Sequence, residues 1–93
     1  MPISDELKKL YATGAESGLV IKEFPASEGY VAFAARRDKL ENAGFSKEKV
    51  KTMDFMMASL YMAAGAGDTR EEAVKKAMDM YNRSEGWIPQ TKV

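Results

Sequence analysis

The longest apolar run of the chain lies in residues 46–64, SKEKVKTMDFMMASLYMAA. Within it, Val50, Met53, Met57, Leu60, Tyr61 and Ala64 fall at i, i+3, i+7, i+10, i+11 and i+14. At about 100° per residue these positions share one face of a helix. Phe55 and Met62 fall near the opposite face, and Met56 and Ala63 fill a flank between them. The spacing predicts a helix that is apolar on nearly every side past its first turn. Such a helix is surrounded by its own chain or by a second copy.

The flanking segments carry helix punctuation. Ser4 suits an N-cap, Asp5 and Glu6 put negative charge in a first turn, and Leu7, Leu10 and Tyr11 form an i, i+3, i+4 face. This first helix is expected to end near Thr13, ahead of Gly14 and Gly18. Residues 42–46 read as a helix end and a new start. Gly44 suits a left-handed C′ position, Phe45 would touch Leu40 in a Schellman motif, and Ser46 would cap the central helix. Gly65 and Gly67 are expected to end that helix. Asp68 or Thr69 then caps the last one, with Thr69 and Glu72 as a capping-box pair. Val74, Ala77, Met78 and Tyr81 give the last helix its apolar face. Gly86 would end it, and Trp87 and Ile88 would fold back on the core.

Residues 17–36 support two readings. Residues 19–24 (LVIKEF) and 30–35 (YVAFAA) have strand propensity, and PASEG between them resembles a hairpin loop. Against this, Ser27 can cap a helix, and AFAARRDKLENAG is rich in helix formers. Tyr30, Phe33, Ala34, Arg37 and Leu40 also line one face at helical spacing, and a lone two-stranded hairpin is marginal. The expectation is a helix over 27–43 with 17–25 irregular or short helix. The predicted fold is thus all-α, mostly helical, with about four helices packed around a buried central one in a single domain spanning 1–93. The alternative is α+β with a hairpin at 19–35.

Composition narrows the chemistry. Fourteen basic residues balance fourteen acidic ones, so no overall attraction to nucleic acid or an anionic membrane is expected. There is no cysteine and no histidine. That removes thiolate chemistry, the commonest general base and the commonest metal ligand. Glu71 and Glu72 are adjacent and diverge, while Glu16, Glu23 and Glu28 have no partner at a set spacing. The expectation is that the protein is not an enzyme and uses no cofactor or metal. MPISDELKKL lacks the apolar core of a signal peptide. The central apolar stretch, broken by Asp54 and Ser59, is too short to cross a bilayer. A soluble, cytoplasmic protein without membrane partners is expected.

Three groups of residues stand out as candidate sites. Methionines cluster at positions 53, 56, 57 and 62, with two more at 78 and 80. Methionine fills cores and also adaptable partner surfaces. Phe55, Met56 and Met62 are the expected partner-binding residues, because a small chain covers a second face of its central helix with difficulty. A self-complementary homodimer would cover it. The second group resembles a helix-turn-helix over 36–55, with Leu40, Gly44, Val50 and Met53 at its structural positions. Lys47, Lys49 and Lys51 would begin its second helix, and Arg36 and Arg37 would add phosphate contacts. Leu40 is bulky and Lys39 charged for that pattern. The third group, residues 65–69 (GAGDT), could cradle a phosphate. It has neither a preceding strand nor a following P-loop lysine, and helix punctuation accounts for it. The expected function is a non-catalytic protein–protein interaction module, a small adaptor, inhibitor or regulator that self-associates as a homodimer. The alternative is a DNA-binding regulator.

Overall fold

The computed structural model describes residues 4–83. Helix α1 (Asp5–Glu16) leads into a hairpin of β1 (Leu19–Pro25) and β2 (Tyr30–Arg36). Three short helices follow: α2 (Arg37–Asn42), α3 (Lys47–Lys51) and α4 (Phe55–Tyr61). The chain then returns as β3 (Ala63–Gly67) and closes with α5 (Arg70–Arg83). The strands form one antiparallel sheet in the order β1-β2-β3. The fold is therefore α+β, and the all-α expectation of a helical bundle around a buried central helix is overturned. Trp87, Ile88 and Gly86 lie outside the described residues.

The hairpin at 19–35 is the alternative reading of this stretch, and the structure adopts it. Leu19 pairs with Arg36 and Pro25 with Tyr30, which leaves a short loop at 26–29. Gly29 turns it with φ 86°. A third strand on β2 removes the objection that a lone hairpin is marginal. The expected helix over 27–43 survives only as α2.

Strand alternation assigns the two sheet faces. Ile21 and Glu23 of β1, Ala32 and Ala34 of β2, and Ala63, Gly65 and Gly67 of β3 share one face. Helices α1 and α5 lie side by side on it. This face is built of small residues because α5 lies almost on the sheet backbone. A Cβ on Gly65 would stand 2.2 Å from the Ala77 nitrogen, and one on Gly67 would stand 2.6 Å from Glu72 Cβ. Ala73 and Ala77 on α5 match this small surface and are fully buried. The glycines expected to end a helix are thus strand residues that let a helix approach.

The same face carries one polar cluster. Arg70, at the start of α5, donates from Nε (2.7 Å) and Nη2 (3.2 Å) to the Glu23 carboxylate. The Tyr11 hydroxyl of α1 donates to that carboxylate too. Burial raises the Glu23 pKa, but the hydrogen bonds from Arg70 and Tyr11 and the Arg70 charge outweigh it and hold it below the ordinary value. Burial, and then the Glu23 hydrogen bond and charge, raise the Tyr11 pKa.

Val20, Lys22 and Phe24 of β1, Phe33 and Ala35 of β2, and Ala64 and Ala66 of β3 share the second face. The α2–α4 segment covers part of it. Phe55 of α4 packs edge-on against Phe33 (centroids 5.3 Å) and Phe24 (5.6 Å). Phe33 and Leu40 are among the largest side chains buried completely.

The expected central helix is broken in two. Thr52 folds its hydroxyl back onto the Glu48 carbonyl (3.1 Å). Lys22 reaches from β1 to take the Val50 and Lys51 carbonyls at 2.9 and 3.0 Å. These bonds satisfy the end of α3. Asp54 then caps α4 by accepting from the Met57 amide (2.9 Å). The break shifts the helical phase. Val50 and Met53 stay buried as expected, whereas Ala58 and Met62 take the core positions of the second part and Leu60 turns outward.

The caps formed where local chemistry placed them. Ser4 accepts from Leu7, Ser46 from Lys49 and Thr69 from Glu72. Glu72 reaches back to the Asp68 amide (2.8 Å). Gly44, with φ 100°, completes a Schellman motif in which the Phe45 amide bonds the Leu40 carbonyl and the Gly44 amide bonds that of Glu41. Phe45 goes on to pack edge-on against Tyr61 at 4.7 Å.

Candidate functional site

Strand β3 is the centre of the candidate site. It pairs with β2 on one side, and among the described residues nothing pairs with the other. The hydrogen-bond phase of the sheet follows from two bonds. Arg37 N–H donates to Gly18 O (2.8 Å) and Ala26 N–H to Gly29 O (3.1 Å). Pairs in an antiparallel ladder alternate between bonded and non-bonded. Val31, Phe33 and Ala35 therefore bond to β1, and Tyr30, Ala32 and Ala34 bond to Gly67, Gly65 and Ala63. Ala64 and Ala66 are left with their N–H and C=O groups aimed outward.

The two edges of the sheet differ in composition. The β1 edge carries Lys22, Glu23 and Pro25, residues that discourage pairing with another chain. The sequence of β3, AAGAG, carries no charge and no proline. It lacks those guards, and its shortness is its one protection.

Helix α4 carries an apolar surface on one face of the sheet. Met56 is 71 % exposed, Leu60 55 % and Phe55 48 %. Phe55 sits over Phe33, the register partner of Ala64, so exposed alanines and helix lie on the same sheet face. Of the three expected partner-binding residues, Phe55 and Met56 are on this surface. Met62 is 2 % exposed and belongs to the core. Phe24 and Phe33 cover part of the Phe55 ring, which stays 48 % exposed. The edge itself was missed from sequence, because AAGAG looks the same as a helix terminus.

The basic residues divide. Arg37, Lys47 and Lys51 gather around one cavity together with Lys22. Lys22 was not anticipated, since it lies on β1, far from the others in sequence. Burial lowers its pKa. Arg36 instead forms a two-pronged pair with Asp38 (2.8 and 3.1 Å), and Lys49 does not line the cavity. Helix α3 has five residues, or ~7.5 Å at the helical rise, too short to lie along a major groove as a recognition helix.

Among the described residues no helix is long and apolar enough to cross a membrane. Among the described residues these features define an α+β domain with one sheet edge left unpaired. Comparison of the chain with protein-family models, curated proteins and solved structures returned no significant match.

Proposed function

We propose that this protein is a non-catalytic protein–protein interaction module that assembles with a second copy of itself through the β3 edge. The observation that carries this is an uncharged edge strand that nothing pairs among the described residues, on a sheet whose Ala64 face also bears α4 with its exposed Phe55, Met56 and Leu60. A two-fold axis at Gly65 would set Ala64 of one copy opposite Ala66 of the other. Both residues aim their backbone groups outward, so this register makes four N–H···O bonds. No charged side chain stands on the strand, so the two copies meet without like-charge repulsion. Both α4 helices would lie on the same face of the joined six-stranded sheet. A second copy fits this edge in an isologous way that an unrelated strand does not.

Sedimentation velocity over a concentration series tests the proposal. The expected result is a monomer–dimer equilibrium in the wild type. Ala66→Pro, which removes an outward N–H, and Met56→Glu, which places a charge on the open face, should both give folded monomers. A wild type that remains monomeric into the millimolar range rejects it.

A further inference from the structure

We propose that the cavity between β1 and the starts of α2 and α3 binds a small molecule carrying two or more phosphate groups, held by Lys22, Arg37, Lys47 and Lys51. The cavity measures about 460 Å³, within the usual range of small-ligand sites. Four of its seven lining residues are cationic and none is acidic. The chain as a whole balances its charges, so this segregation of sign is local.

Among the described residues, none of these four cations has an ion-pair partner. The ion pairs among the described residues are Arg36–Asp38, Arg70–Glu23, Lys76–Glu72 and Arg83–Asp79. Asp38, the carboxylate next to Arg37 in sequence, is held by the Arg36 fork. Four like charges around one concave site raise the local potential and concentrate anions there.

The cations come from three separate elements, and one is fixed. The Lys22 ammonium is anchored on the Val50 and Lys51 carbonyls, and these two bonds leave its third N–H unused. Arg37 offers a planar fork suited to two phosphate oxygens, and Lys47 and Lys51 act as point charges. Val20 and Val50 give the site an aliphatic floor.

A small ligand fits better than a nucleic-acid strand. Asp38, Glu41 and Glu48 are exposed on α2 and α3, the elements that bear three of the four cations. They would repel an extended polyanion laid across the site. Arg36 and Lys49, which a longer track would need, do not line the cavity.

Titration of the full chain with inorganic tripolyphosphate, followed by calorimetry and amide chemical shifts, tests the proposal. Saturable binding is expected, with shifts centred on residues 20–22, 37 and 47–51. Lys47→Gln and Lys51→Gln should each weaken it about tenfold, the size of one lost charge-assisted hydrogen bond. Lys75→Gln, on α5, should leave it unchanged. All three variants should keep the wild-type melting curve and oligomeric state. Absence of saturable binding at low salt overturns the proposal, as does an equal loss in Lys75→Gln. Tighter binding of a random DNA duplex, with a salt slope above about four phosphate contacts, also overturns it by assigning the site to nucleic acid.

Discussion

Glu23 on β1 and Arg70 on α5 are 47 residues apart in sequence and share a two-bond ion pair. The pair ties the edge strand of the hairpin to the last helix, and Tyr11 brings α1 onto the same carboxylate. The Glu23 side chain is 14 % exposed while that of Arg70 is 42 % exposed. Glu23 therefore loses more hydration and depends on the bonds it receives.

A pH dependence follows from this cluster. The folded-state pKa of Glu23 lies below its ordinary value of 4.5. A lowered carboxyl pKa contributes stability that is complete above that ordinary value and is lost as pH falls through the folded one. Wild-type stability should fall with acid below about pH 4.5. Glu23→Gln should flatten that part of the profile while lowering stability at pH 7. Denaturant melts across the range would show it, and an unchanged acid limb would refute the role of the pair.

Glycines 65 and 44 should respond differently to alanine. At Gly65 the new methyl meets the backbone of α5, so the helix must move off the sheet. A loss of about 3 kcal/mol or more is expected, at the upper end of overpacking costs. At Gly44 there is open space, and only the positive φ is penalised. A loss of about 1 kcal/mol is expected there. Equal effects in urea melts would contradict the close α5–β3 approach.

Methionines 56 and 62, both once expected on the partner surface, separate cleanly under charge. Met56→Lys should leave the thermal midpoint of the monomer, measured at low concentration, close to wild type, since the side chain is mostly in water. Met62→Lys should abolish cooperative folding, because it buries an unpaired ammonium. Circular dichroism melts of the two variants distinguish them.

Tyr81 is 4 % exposed, and its hydroxyl meets no partner at full hydrogen-bonding geometry among the described residues, with the Arg36 backbone close by. A buried donor without a partner costs about 1–3 kcal/mol. Tyr81→Phe removes that group and keeps the ring, so stability should hold or rise. A clear drop in the melting midpoint would show that the hydroxyl is satisfied elsewhere.

The sequence by itself determined the punctuation of this protein. Ser4, Ser46, Thr69 and Glu72 cap helices, and Gly44 with Phe45 ends one, because each of these devices is closed within a few residues. It also marked the two sites in part. Phe55 and Met56 were legible as surplus apolar surface on an already apolar helix, and Arg37, Lys47 and Lys51 as a local basic group.

Only the tertiary structure decided between helix and strand for residues 30–36 and 63–67. YVAFAAR mixes strand formers with alanines, so local preference leaves it open between helix and strand. It becomes the central strand because β1 and β3 satisfy its backbone on both sides and α5 needs small side chains beneath it. AAGAG has the same glycines as a helix stop, and its identity as a strand exists only in its pairing with β2. The long apolar run at 46–64 is broken at Thr52 and Asp54, and Lys22 reaches from β1 to satisfy the carbonyls that the break frees. Ala58 reached the core because that break reset the helical phase, and Met62 because it stands extended where α4 turns into β3. Strand pairing and the bonds from Lys22 join residues remote in sequence, and local periodicity carries no record of such contacts.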